Sequence, residues 1–287
     1  MSFHSKISEY FELIKFQHTI FALPFAFSGM LLARGSHEWP SFAAFLWVLL
    51  AMVGGRTAAM ALNRVIDAEI DKKNPRTANR AIPAGKIKKL SVITLAILSF
   101  GLMIFAAWQL PLICRQLLPL AIIILIVYSY TKRFTYLSHF ILGGALAAGA
   151  AGGWLAVTGE ITIPVVLWGF AIMFWVAGFD VIYAVQDIEF DRENNLYSLP
   201  AWLGTKNSLL FSRLFHVLTV IFLISLGIII KTGLYYWLGT GITFLLLVYE
   251  HSLLKEDDLS RLNMAFFNVN GYISIGMFCF ILLDKIL

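Results

Sequence analysis

Charge is scarce in this chain. Of its 287 residues 14% are Asp, Glu, Lys or Arg, whereas water-soluble domains carry about 25%. So little charge cannot keep a surface in water, which excludes an ordinary soluble domain. Cysteine is scarcer still. Cys114 and Cys279 lie in or near apolar segments without the spacing of a metal site, which leaves them as thiols in a lipid setting. A cleavable leader is missing too. The polar start MSFHSKISEYFELIKFQ enters an apolar stretch that has no small-residue cleavage site, so the first apolar segment is expected to be retained.

What fills the chain instead is apolar: 59% of residues are hydrophobic and mean hydropathy is +0.79. Runs long enough to cross a bilayer, roughly 17–25 residues, recur along its length. Nine spans are expected, at about 16–33, 41–66, 90–110, 112–130, 138–157, 164–184, 209–230, 234–250 and 265–284. Only QLPLICRQLLP separates the third from the fourth, where Pro111 and Pro119 supply a break. The expected fold class is therefore all-α: a polytopic membrane bundle of nine transmembrane helices, forming a single domain over residues 1–287.

Loop charge orients the bundle. With nine spans, the N-terminus and alternate loops share one face that collects 16 Lys and Arg, among them Lys72, Lys73, Arg76, Arg80, Lys132 and Arg133. The opposite face has Arg34, Arg115, Lys231 and Lys285. Such an excess marks the cytoplasmic side, so the net charge of +5 reports topology and not nucleic-acid binding. Small residues crowd two spans, GGRTAAMALN in the second and GGALAAGAAGGW in the fifth. They let helices approach closely in lipid, and the missing bulk also leaves room for a cavity.

Acids appear where membrane helices end. NRVIDAEID closes the second span, and DIEFD follows the sixth. Asn63, Asp67 and Asp71 are spaced by four, as are Tyr183, Asp187 and Asp191, so each set lines one face if its helix continues past the membrane. Asp67, Glu69, Asp71 and Asn74 align with Asp187, Glu189, Asp191 and Asn194, as a duplication of four helices would produce. A solvated helix end is the plain alternative. Against it, carboxylates at a helix C-terminus oppose the dipole at a few tenths to about 1 kcal/mol each, and acids four apart repel. A cation relieves both penalties. Paired oxygen ligands suit Mg²⁺, which is commonly held by one or two carboxylates plus substrate phosphates. Arg76, Arg80, Lys132 and Arg133 lie on the same membrane face, and acids for metal beside bases for phosphate describe a diphosphate site. Arg56 and Arg64 fall inside the second span, where ionisable residues are functional candidates by default. Arg56 is alternatively a buried partner for Asp180.

These residues resemble the UbiA superfamily of membrane prenyltransferases, a nine-helix bundle whose second and sixth helices carry N-D-x-x-D-x-x-x-D and D-x-x-x-D. The likeness extends to RTANRAIP at 76–83, YSYTKR at 128–133 and YAVQD at 183–187. The resemblance implies that Mg²⁺ held by Asp67, Asp71, Asp187 and Asp191 chelates a polyprenyl diphosphate. Asn63 would assist the first metal, and Lys132 and Arg133 would take phosphate charge. An allylic cation, stabilised by Tyr128 or Tyr183, would then alkylate an aromatic acid acceptor oriented by Asp180 or Arg56. Arg64 stands where the family usually has Asp, which removes one carboxylate. NR for ND, HTIFALPFA from His18 and GFDVIYAVQD from Gly178 look like the branch serving menaquinone, whose acceptor is 1,4-dihydroxy-6-naphthoate; 4-hydroxybenzoate is the related alternative. His18 reads equally as a packing residue or an acceptor contact. The implied setting is the bacterial inner membrane, with the N-terminus and site facing the cytoplasm. Haem or lipid prenylation in the same fold, or cation-coupled transport, are the competing readings. Transporters place their sites near the midplane, whereas these acids cluster at one edge.

Overall fold

The computed structural model describes residues 3–34 and 38–287, excepting the side chains of 3–7 and 16–21. His18 therefore lies outside the described side chains. A short helix α1 (Phe3–Leu13) precedes α2 (Phe16–Leu32) and α3 (Phe42–Ile66). The stub α4 (Ala68–Lys73) leads to α5 (Lys89–Trp108), α6 (Leu112–Tyr128), α7 (Ser138–Thr158) and α8 (Ile163–Ala184). A second stub, α9 (Ile188–Glu193), is followed by α10 (Leu199–Ile230), α11 (Leu234–Ser252) and α12 (Asn270–Ile286). Each apolar run expected from the sequence coincides with a helix. Among the described residues six helical stretches, not nine, are long and apolar enough to cross a membrane. α2 and α6 are apolar but shorter. α11 belongs to neither group, because Tyr, Gly, Thr, Glu250 and His251 dilute its hydropathy. Pro119 does not break the chain as expected; it lies inside α6, and the turn is made at Gln109–Pro111.

The outward faces of the long helices stay apolar: Ile97 and Leu98 on α5 are 64% and 68% exposed. Such a surface is stable against acyl chains and not against water. Inside, α8 packs along α7 and α10, α2 along α7 and α12, and α3 chiefly along α5. Because α3 touches α2, α6 and α7 only lightly, a gap opens between the first acidic helix and the rest of the bundle.

Glycine sets the close crossings. A Cβ on Gly153 of α7 would strike the Ala26 backbone of α2, and one on Gly29 of α2 would meet the Ala150 carbonyl at 2.6 Å. At Gly54 of α3 it would lie 2.7 Å from the Ser99 carbonyl of α5. Gly144 and Gly152, by contrast, have nothing within 4 Å. The small-residue runs therefore serve both purposes, packing on some faces and open space on others. Gly153→Ala is expected to destabilise by about 1–3 kcal/mol, the usual cost of overpacking, and to lower the Tm in detergent. Gly144→Ala should hold or raise it; equal effects of the two on Tm would refute this division of roles.

Candidate active site

One cavity of about 530 Å³ fills the gap beside α3. It is lined from Val48 to Asp67 along α3, a rise of about 28 Å at 1.5 Å per residue, close to the ~30 Å hydrocarbon thickness. Gly55, Met103, Leu110, Leu118 and Gly152 make its deep part apolar, while its mouth carries the charges. All the sequence-predicted site residues line it: Asp67, Asp71, Asp187, Asp191, Asn63, Arg64, Arg56, Arg76, Arg80, Lys132, Arg133, Tyr128, Asp180 and Tyr183.

Neither acidic helix runs on past the membrane as expected. α3 ends at Ile66, and Asp67, at φ −89° and ψ 3°, joins it to α4. α8 passes through a 3₁₀ turn, Val185–Asp187, and Asp187 adopts nearly the same conformation, φ −104° and ψ 7°, before α9. The i→i−4 bond from Asp71 N–H to the Asp67 carbonyl survives at 2.7 Å, which keeps both acids toward the cavity. The break reverses part of the dipole argument. Glu69 and Asp71 lie in the first turn of α4, and Glu189 and Asp191 in that of α9, where negative charge is favoured and not opposed.

Each motif carboxylate has a cation from a loop. Arg80 Nη1 donates to both oxygens of Asp71, at 2.7 and 2.8 Å. Arg76 reaches across the bundle to Asp187, Nε to Oδ1 at 3.0 Å and Nη2 to Oδ2 at 2.6 Å. The Asn74–Pro75–Arg76 turn aims it. The Asn74 side chain accepts from Arg76 N–H at 2.9 Å and donates to Asp187 at 3.4 Å, an Asx turn with a second contact. Asn194, which the sequence aligns with it, bonds among the described residues to the Phe190 carbonyl. Lys132 Nζ stands 3.6 Å from Asp191, which also accepts from Ser198 Oγ at 2.7 Å. Arg133 Nη2 donates to the Ile66 carbonyl at 2.8 Å, satisfying the end of α3, and reaches Asp67 at 3.3 Å. Asn63 Nδ2 donates to the other Asp67 oxygen at 2.8 Å. Burial, then the charge of Asp71, raises the Asp67 carboxyl above its ordinary pKa, with Arg133 and Lys132 acting in the opposite direction.

Two expectations change. Among the described residues Asp180 does not pair with Arg56; its partner is His139, whose Nδ1 lies 2.6 Å from Oδ2, and the Arg56 Nε has no hydrogen-bond partner. Arg64 is buried and donates to the Leu13 carbonyl of α1 at 3.3 Å and to Asn63 Oδ1 at 3.4 Å. Arg64 thus ties the N-terminal helix to the site. Tyr183 stacks on Phe266 with centroids 4.1 Å apart, and Arg76 lies 5.4 Å over its ring. Sequence reasoning missed His139, Ser198 and Phe266. Of these only Ser198, ahead of Leu199–Pro200, carried a signal, that of a helix N-cap.

Mg²⁺ fits this donor set. Two carboxylate pairs face one cavity, and the charge of Asp71 raises the proton affinity of Asp67 in a way an intervening cation would relieve. Among the described residues no three acids, histidines or cysteines converge on one point, so an ion would take a pair and complete its shell with phosphate and water, as Mg²⁺ does.

The model of the UbiA prenyltransferase family matches residues 22–272. A UbiA homolog from Aeropyrum pernix K1, 33% identical, superposes with a TM-score of 0.85 over 93% of this chain and 98% of its own. One from Archaeoglobus fulgidus, solved with DMAPP and Mg²⁺, shares the fold at 18% identity and TM-score 0.77, over 97% of this chain and 99% of its own. The 4-hydroxybenzoate octaprenyltransferase of Herminiimonas arsenicoxydans is 29% identical, with 99% of each chain covered.

Removing one partner of a buried ion pair costs several kcal/mol. With the Arg76 side chain 32% exposed, solvent reduces this, and Arg76→Ala is expected to cost about 1–3 kcal/mol. Adding Asp187→Asn should recover most of the lost Tm. No recovery in the double variant would mean that the two do not compensate each other.

Proposed function

This chain belongs to the UbiA prenyltransferase family, and we propose that it transfers a polyprenyl group from a polyprenyl diphosphate to the ring of a hydroxylated aromatic carboxylate. The acceptor is of the 4-hydroxybenzoate or 1,4-dihydroxy-6-naphthoate type, and the product serves respiratory quinone synthesis. The observation that carries this proposal is the cavity: four carboxylates paired with four cations at its mouth, an arginine within whose Nε has no partner among the described residues, and an apolar depth beneath.

Asp67 and Asp71 would hold one Mg²⁺, and Asp187 and Asp191 the other. When bound, Mg²⁺ supplies Lewis acidity toward the leaving diphosphate. Arg76, Arg80, Lys132 and Arg133 then exchange carboxylate oxygens for phosphate oxygens, which they match in charge and, for Arg, in bidentate geometry. The prenyl C1–O bond breaks, and the electron pair leaves with the diphosphate. Tyr183 stabilises the allylic cation through its ring, which already accepts a guanidinium at 5.4 Å. Arg56 takes the acceptor carboxylate on its free Nε. The deep apolar walls take the tail and exclude water. The basic loops favour a site that faces the cytoplasm in a bacterial inner membrane. The helices break at the acids as they do in transporters, but at the end of each span and not at its middle, which favours transfer over transport.

Asp67→Asn and Asp187→Asn should each lower transfer at least about a hundredfold, because several kcal/mol of metal-derived stabilisation are lost, with the chain still folded and a lower Tm expected for Asp187→Asn, which also breaks the pair with Arg76. Transfer would be measured in membranes with labelled long-chain prenyl diphosphate and Mg²⁺, offering each acceptor in parallel. Full activity in either variant would overturn the metal roles, and EDTA insensitivity of the wild type would overturn the metal requirement.

A further inference from the structure

Glu250 on α11 is 0% exposed and does not line the cavity. It belongs to a polar cluster that joins α8, α10, α11 and the start of α12. His216 of α10 stands beside it without bonding it. The His216 Nε2 lies 3.3 Å from the Trp175 carbonyl, which only accepts, so Nε2 carries the proton. In the neutral ring Nδ1 then accepts from His251 Nε2 at 2.9 Å, and Glu250 Oε2 is left 4.0 Å away. Among the described residues Glu250 therefore has one donor, Asn270 Nδ2, which lies 3.1 Å from Oε1. The same Nδ2 reaches the Ala265 and Phe266 carbonyls at 3.1 and 3.2 Å. All three partners only accept, so the orientation of the amide is fixed and its two protons are shared among three oxygens. Those carbonyls belong to a π-helical turn, Met264–Val269, that leads into α12. A π turn holds one residue more than an α turn, so relaxing it would swing the residues ahead of α12 by about 100°. Phe266 sits in this turn, with its ring stacked on Tyr183 and Phe179 meeting it edge to face at 5.4 Å. A carboxyl buried so completely costs stability, where an apolar side chain of similar volume is often neutral or better. What Glu250 supplies that an apolar residue cannot is an anchor for the Asn270 amide.

We infer that Glu250 and Asn270 are positioning residues: through the π turn they hold Phe266, and through Phe266 they hold the ring of Tyr183. The inference rests on the proposed function for what Tyr183 does there. A ring stabilises a cation only when its face is presented within about 6 Å. Loosening the turn therefore lowers kcat and leaves the binding of prenyl diphosphate and Mg²⁺ as it was, because neither Glu250 nor Asn270 belongs to the acids and cations at the mouth.

A spectroscopic readout separates this from activity. In the full chain in nanodiscs, Tyr183 alone would be replaced by 3-fluorotyrosine, whose ¹⁹F resonance reports the ring stacked on it. Phe266→Leu removes that ring and sets the size of the displacement. Glu250→Leu should reproduce most of it, whereas Glu250→Gln, whose amide oxygen still accepts from Asn270, should keep the resonance of the parent chain. In turnover of the unlabelled chain, Glu250→Leu should lower kcat about tenfold, the worth of one cation–ring contact. The prenyl diphosphate KM should stay within about twofold, and Glu250→Gln should retain most of the parent kcat. If Glu250→Leu does not fold, Asn270→Ala, which removes the same donor, takes its place. An unmoved resonance in Glu250→Leu, a Glu250→Gln no better than Glu250→Leu, a displaced resonance with kcat unchanged, or a matching rise in the prenyl diphosphate KM would each overturn the inference. Resonances that move as expected in a chain that transfers to neither acceptor would support the positioning of the ring and overturn the proposed function instead.

Discussion

Negative charge at the edge of a membrane has to be compensated, and the rest of this structure is arranged around that requirement. Asp71, Asp187 and Asp191 are 6, 7 and 2% exposed, too little for water to stabilise their charges unaided. The chain supplies Arg80, Arg76 and Lys132 in their place, and Arg133 for Asp67. These cations come from the loops after α4 and α6, so compensation draws both loops over the cavity mouth. The backbone follows: Tyr197 N–H donates to the Lys132 carbonyl at 2.6 Å, and Leu196 N–H to the Asp191 carbonyl at 2.8 Å. Such pairs hold the site together, and a diphosphate of the kind proposed above would offer the same guanidinium groups the same bidentate geometry.

The helices beneath are organised by contact and by its avoidance. Gly29, Gly143 and Gly153 bring α2, α7 and α8 within backbone distance of one another, where dispersion replaces the hydrophobic effect that lipid cannot provide. α3 stands apart beside α5. The cavity is the space left by that asymmetry, and its polar mouth and apolar depth follow from where along α3 the sequence changes from AMVGG to NRVID.

Much of this was legible in the residues themselves. The motif aspartates announced themselves by spacing and by standing beyond apolar runs, and the basic segments by their shared side of the membrane. The helix breaks at Asp67 and Asp187 were not readable, since neither glycine nor proline marks them and the apolar period continues through Val65, Ile66 and Ile70. Cross-bundle pairs such as Arg76 with Asp187, 111 residues apart, depend on how helices associate and leave no local trace. His139 lies in an unremarkable LSHF, and nothing local marks it, instead of Arg56, as the partner of Asp180.

The first turn of α10 has a consequence that its modest size conceals. Ser198 caps it while donating to Asp191, and Leu199 N–H donates to His139, which orients Asp180. Two carboxylates at different depths of the cavity are therefore registered against one short segment, residues 198–201, at the membrane edge. Any tilt of α10 therefore reaches both carboxylates at once, the one at the mouth and the one deeper in the cavity.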